Sequence, residues 1–300
     1  MTGTAAHAAS RRNRRRGAPL WFLVPGIVLY AVIVLAPSTF GAGLSFTDAT
    51  IGTGGGFVGL DNYLRIFGDD ATVAPLAHTL IMAIAITVLQ NVFGLLIALA
   101  LNSAIKSRNI LRVVFFAPFV VSPLVAGFLW KYILAPDGPL NQALGAIGLD
   151  VLQRPWLGEP GLALASLVGI VVWQFTGSTM VIYLAGLQGV PREVLEAAEL
   201  DGAVGFRRFW AVVRPFLAPA ITVNLTLSLI SGLRLYDQIV AMTNGGPGGA
   251  TDSLSTVIYR VALQFGEFGY GAALAVMLTI FVIILSGAQY LGLRRQSSAS

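Results

Sequence analysis

Six stretches of this chain are long, apolar and nearly free of charge, at residues 19–43, 78–101, 111–134, 161–186, 216–236 and 271–293. Each reaches the roughly 20 residues that a helix needs to cross the hydrocarbon of a bilayer. A backbone inside lipid must satisfy its own hydrogen bonds, which leaves helices or closed barrels, and the ten-residue alternation of barrel strands is missing. The expected fold is therefore all-α, a polytopic transmembrane helical bundle of six spans. Composition agrees, because only 11% of the 300 residues are charged, against about 25% in a soluble domain. The lack of cysteine removes disulfides, thiolate nucleophiles and cysteine metal sites, and two histidines, His7 and His78, leave little scope for metal-dependent chemistry.

Charge sets the orientation. With the N-terminus inside, the cytoplasmic segments hold Arg11, Arg12, Arg14, Arg15 and Arg16, then Lys106, Arg108 and Arg112, then Arg192, Arg207, Arg208 and Arg214, and finally Arg294 and Arg295, which is 14 of the 19 basic residues. This asymmetry predicts both termini inside. The five arginines before the first apolar run could open a signal peptide. The run, however, exceeds the 7–15 residues of a signal h-region and five further spans follow it, so a retained helix behind a basic arm is expected. The expected organisation is a cytoplasmic arm at 1–18, a membrane domain at 19–293 and a cytoplasmic tail at 294–300.

The cytoplasmic loop at 187–215 is the most informative segment. Pro191 suits a first helical position, glutamates cluster in the turns after it, and Gly202 supplies a stop. Phe206, Phe209, Trp210 and Val213 then recur at i, i+3, i+4 and i+7, one face of a second short helix, which Pro215 is expected to separate from the fifth span. Two helices of about ten residues are marginal alone in water and need a surface to pack on. One option is a hairpin on the membrane, held by Phe209, Trp210 and the arginines. Against it, an anionic inner leaflet would repel the acidic stripe at Glu193, Glu196 and Glu199, whereas Ala197 and Ala198 permit close approach of another protein. A docking site for a cytoplasmic partner is the expectation.

Glu196-Ala197-Ala198, then Gly202, then Val212-Val213-Arg214-Pro215 resembles the EAA signature of the inner-membrane permease subunits of binding-protein-dependent ABC importers. That family usually carries isoleucine and leucine where this chain has Val212 and Arg214. Gly59-Leu60-Asp61-Asn62-Tyr63, Ala117-Pro118 through to Trp130, Trp173 with Ala185-Gly186-Leu187, and Thr243-Asn244-Gly245-Gly246-Pro247 with Tyr259 are similar to the carbohydrate-type branch, the maltose and glycerol-3-phosphate permeases. The resemblance implies a type I importer permease in a bacterial inner membrane. Its implied partners are a second permease subunit in a heterodimer, two ATPase subunits, an extracytoplasmic solute-binding protein, a sugar-like substrate and membrane lipid, with no nucleic acid. It further implies that Glu193, Glu196, Ala197, Ala198, Asp201, Gly202, Phe206 and Pro215 couple the permease to the ATPase. Gly245, Gly246 and Pro247, read from the residues as an extracytoplasmic turn, would lie under the binding protein. The chain itself is expected to be no enzyme and to hold no cofactor, with ATP and Mg acting on the ATPase. The glycine clusters at 52–56 and 245–249 lack the Lys-Ser/Thr of a phosphate loop.

Inside the spans no carboxylate occurs except Asp237, at a boundary. Ion coupling typically uses intramembrane carboxylates, so an ion-coupled secondary transporter is the lesser alternative. Counting from Phe216 places Arg234 roughly 27 Å along its helix, near the outer interface, where it could snorkel, pair with Asp237 at i+3, or touch substrate. Trp173, Gln174, Asn224 and Ser228 have the amides, hydroxyl and aromatic face that a sugar path needs, although hydrogen bonding between helices is the usual work of such polar groups.

Overall fold

The computed structural model describes residues 20–103 and 105–297, so the basic arm at 1–18 and the end of the tail lie outside the described residues. The chain divides into two compact units, Met1–Gly43 and Leu44–Ser300. Helix α1, Trp21–Leu44, is an apolar helix of 24 residues, all but its last residue in the first unit. Its middle turn, Ala31–Leu35, is π-helical, and the Ala36 N–H bonds back to the Ala31 carbonyl. Pro37 follows at once; the wider turn relieves the clash that its ring would make with the carbonyl four residues back.

The second unit is built from helices joined by turns, with no strand among the described residues. In chain order these are α2 (Asp61–Gly68), α3 (Asp70–Leu101), α4 (Arg108–Val120), α5 (Pro123–Ile133), α6 (Pro139–Ala146) and α7 (Pro160–Gln188). They continue with α8 (Arg192–Leu200), α9 (Gly205–Leu233), α10 (Asp237–Met242), α11 (Leu254–Tyr259) and α12 (Phe268–Ser297). In the bundle α3 packs on α7 and α9, α4 lies on α7, α5 on α10, and α12 on α9 and α11.

Small residues set the helix spacing, as expected where lipid gives helices no hydrophobic reason to associate. A Cβ on Gly177 would fall 2.1 Å from the Phe115 carbonyl oxygen, one on Gly94 2.6 Å from Thr179 Cγ2, and one on Gly232 2.8 Å from Ala83 Cα. Around these contacts an inner apolar cluster joins Ala98, Leu101, Tyr183, Leu187 and Leu217, and a central one joins Met82, Ile86, Leu167, Val171 and Ile239. On the outer side Arg65 of α2 pairs with Glu267 at 2.5 Å and stands over the Tyr270 ring at 4.0 Å. The hydrogen bond to Glu267 raises the guanidinium pKa further.

Two expectations need correction. The apolar run at 111–134 is not one straight span, because α4 and α5 meet at 97°. Val121 and Ser122 are extended, with ψ of 136° at both, the conformation that a residue before proline prefers, and Pro123 opens the next helix. Among the described residues there are thus five helices long and apolar enough to cross a membrane, or six if this bent pair is one span. Conversely, Pro215 does not separate a short helix from the fifth span. Helix α9 runs unbroken from Gly205 to Leu233. A π turn at Phe209–Val213, closed by the Arg214 N–H on the Phe209 carbonyl, precedes Pro215 and accommodates it as in α1.

Candidate functional site

At the cytoplasmic end, α8 and the start of α9 form an elbow. Pro191 caps α8 from outside, with ψ of 139°, so the helix begins at Arg192, one residue later than expected. Gly202 has φ of +73°. Its N–H bonds to the Glu199 carbonyl at 3.0 Å, and the Ala203 N–H reaches back to Ala198 at 2.8 Å. This pair of bonds is a Schellman cap and requires the left-handed conformation that glycine adopts freely.

Glu193, Glu196, Ala197 and Leu200 stand on one exposed face of α8 at i, i+3, i+4 and i+7, and Leu200 is 90% exposed. Sequence reasoning passed over Leu200, although the same spacing points to it. Ala198, by contrast, is buried at 7% exposure, so the two alanines do not share the open surface as expected; Ala197 alone does. Asp201 is exposed at the bend. Arg208 donates to Glu199 and ties the two arms together. Phe206, Phe209, Trp210 and Val213 do not form the single packed face that their spacing suggests. Phe209 and Val213 pack on the inner cluster, whereas Phe206 and Trp210 are exposed and meet edge to face at 5.8 Å. The π turn changes the angular step between them. Pro215 is exposed just beyond it.

At the other end of α9 a small cavity of about 160 Å³ opens among Ile86, Gln90, Phe175, Ser231, Arg234 and Asp237. Arg234 caps the C-terminus of α9 and lies level with the middle turns of α3 and α7, both of which continue outward well past it. It does not form the i+3 pair with Asp237. The chain leaves the helix between them, with Tyr236 at φ −139° and ψ −59°, and both side chains are exposed with no ion-pair partner among the described residues.

The other polar residues proposed for the path are engaged between helices. Gln174 is fully buried; its Nε2 donates to the Val121 carbonyl at 2.9 Å and its Oε1 accepts from Gln238 at 3.0 Å. It therefore satisfies the backbone that the bend between α4 and α5 leaves open. Asn224 donates to the Thr179 carbonyl at 3.2 Å, and Asn91 donates to the Ser228 hydroxyl at 2.9 Å while accepting from Tyr183 at 2.7 Å. Trp173 is 40% exposed, meets Trp130 edge to face at 5.3 Å, and lines a separate apolar pocket with Phe93 and Phe115.

The outer loop is a clamped structure rather than a simple turn. Gly245 has φ of +87°, and a Cβ there would lie 2.1 Å from Asp252 Oδ1. Thr251 bonds both Thr243 and the Gly246 carbonyl at 2.7 Å, and Arg260 holds the buried Asp252 at 2.6 Å. The Ser253 hydroxyl donates to the Leu235 carbonyl at 2.8 Å, which fastens the loop to the chain beside the cavity. Gly245 is itself buried in this clamp, so of the three expected residues only Gly246 and Pro247, each partly exposed, are presented on the fixed base.

Residues 90–297 match the family described as the binding-protein-dependent transport system inner membrane component. The chain is 34% identical over 270 residues to the multiple sugar-binding transport system permease protein MsmF of Streptococcus mutans, covering 89% of this chain and 92% of that one. It is 34% identical over 261 residues to the trehalose/maltose transport system permease protein MalF of Thermococcus litoralis, covering 87% and 86%. Its fold superposes, with a TM-score of 0.81 at 21% identity, on 94% of a chain of a bacterial alginate ABC transporter solved in complex with an alginate pentasaccharide-bound periplasmic protein, and the match takes in 93% of this chain. With a family match over two thirds of its length and relatives about one third identical across nearly all of theirs, this chain belongs to the inner-membrane permease components of binding-protein-dependent transport systems and is a transporter subunit, not an enzyme.

Proposed function

We propose that the chain lines one half of the translocation path of an ATP-driven sugar importer. The observation that carries this reading is the exposed pair Arg234 and Asp237 beside a cavity at the middle of the bundle. An arginine or aspartate facing lipid at that level costs about 2.5–3.5 kcal/mol each. A second permease subunit, most simply a different chain, covers this face and completes a polar path in which the two charges meet sugar hydroxyls. The α8 face of Glu193, Glu196, Ala197 and Leu200 docks on one of two ATPase subunits, which bind ATP and Mg. The solute-binding protein delivers cargo against the clamped loop at Gly245–Pro247. Sugar is the favoured cargo because relatives about one third identical are named for sugars.

The test is uptake of labelled oligosaccharide into vesicles holding the assembled importer. Uptake should require both ATP and binding protein, and Arg234→Ala should abolish most of it while leaving ATPase association intact. Uptake by this chain alone, driven by a proton or sodium gradient without nucleotide, would refute the proposal in favour of a secondary transporter.

A further inference from the structure

The coupling assignment uses α8 and the bend, but leaves unexplained the outward side of the first turns of α9. There Arg207, Trp210 and Arg214 are all exposed, with Trp210 at 47%. The Arg214 guanidinium lies 4.8 Å from the centre of the Trp210 ring, and Phe206, 77% exposed, leans on the same ring. Phe209 and Val213 turn the other way, into the inner cluster, so this stripe points away from the bundle. Neither Arg207 nor Arg214 has a carboxylate partner among the described residues, and Glu199 pairs with Arg208.

Depth follows from the helix rise. The fully buried Leu217 packs with Leu101 and Leu187 at the inner ends of α3 and α7. Counting back at about 1.5 Å per residue puts Arg214 about 5 Å, Trp210 about 10 Å and Arg207 about 15 Å below it. The polar headgroup zone is roughly 5–8 Å thick on each side, and the negative surface potential extends about a Debye length, roughly 8–10 Å, beyond. Arg214 thus stands at headgroup level, Trp210 just beyond its edge, and Arg207 in the negative field outside. The elbow also separates charge: α8 exposes Glu193 and Glu196, and this stripe exposes two arginines. An anionic leaflet attracts one arm and repels the other, whereas a single ATPase surface would have to match opposite charges on either side of one bend.

The geometry points to a binding site for the headgroup of an anionic phospholipid of the cytoplasmic leaflet, formed by Arg207, Trp210 and Arg214, which holds α9 at the bilayer and so sets the angle at which α8 is offered to the ATPase. Guanidinium N–H groups donate to the lipid phosphate, the Trp210 ring fixes Arg214 from behind, and the Phe206 ring closes the other edge.

The site is tested on the assembled importer in phosphatidylcholine vesicles carrying a photoreactive phosphatidylglycerol. Each arginine near the membrane surface should contribute about fivefold to binding. Arg207→Gln/Arg214→Gln should therefore lower labelling of this chain by roughly 30-fold and remove any gain in stimulated ATP hydrolysis caused by phosphatidylglycerol. Arg207→Lys/Arg214→Lys keeps the charge and should retain most of both. In pure phosphatidylcholine the wild type and both variants should hydrolyse ATP alike, which also shows that the variants fold. Undiminished labelling in the glutamine variant would overturn the proposal. So would loss of ATPase association by both variants in lipid-free detergent, which would assign the stripe to a protein contact.

Discussion

Replacing Gly202 by alanine isolates one property of the elbow. Nothing lies within 4 Å of the position that a Cβ would occupy, so the substitution introduces no collision. Its whole effect is conformational, since φ of +73° costs an L-residue about 1–2 kcal/mol. Asparagine tolerates that region better and should lose less, whereas a β-branched valine should lose more. The strain falls on the two bonds that close α8, and a helix of nine residues has little stability of its own to absorb it. A loss of 1–2 kcal/mol lowers the population of the docking conformation by about 5- to 30-fold. The assay is the amount of permease retained by a tagged ATPase, together with ATP hydrolysis stimulated by loaded binding protein. Both should fall in the order glycine, asparagine, alanine, valine. Wild-type retention and stimulation in Gly202→Ala would show that the cap does not hold the docking surface, and the coupling argument built on the elbow would fail with it.

Two further outcomes follow from contacts deeper in the chain. Gly177→Val should prevent α4 from seating on α7, because even a Cβ there overlaps the Phe115 carbonyl; the expected result is loss of the monodisperse species in detergent size exclusion, and normal assembly would contradict the packing. With no native cysteine, Leu200→Cys and Val151→Cys, at positions 90% and 85% exposed, report the orientation: an impermeant thiol reagent added outside should label position 151 and spare 200, and the reverse would invert the topology.

Span positions were legible because one property, apolar length, decides them. The bend between α4 and α5 was hidden for the same reason: Val121 and Ser122 interrupt the helix without interrupting the apolar run, and only Pro123, with its known effect on the residue before it, marked the place. Pro215 misled in the opposite direction, since a π turn can accommodate a proline that periodicity treats as a stop. The bend at Gly202 was readable because its chemistry is local. Gln174, Asn224 and Ser228 were readable as polar groups inside spans, but whether such a group faces a path or a neighbouring helix depends on a partner that is remote in sequence. For Gln174 that partner is a carbonyl 53 residues away. Leu200 shows the reverse, an apolar residue passed over although its i+7 spacing from Glu193 places it on the same open face.

The unbroken run of α9 has a mechanical consequence. The Asn91–Ser228 hydrogen bond, with Asn224 held one turn below it, ties this helix to its neighbours near one end. From that fulcrum to the elbow at Gly205 is about 35 Å, and to Arg234 about 9 Å. A rigid tilt of α9 about that point gears motion down by roughly four to one, so a swing of about 4 Å at the cytoplasmic tip moves the arginine by only about 1 Å. On the proposed reading, a longer stroke at the elbow thereby becomes a shorter one at Arg234, and the two ends move in opposite directions.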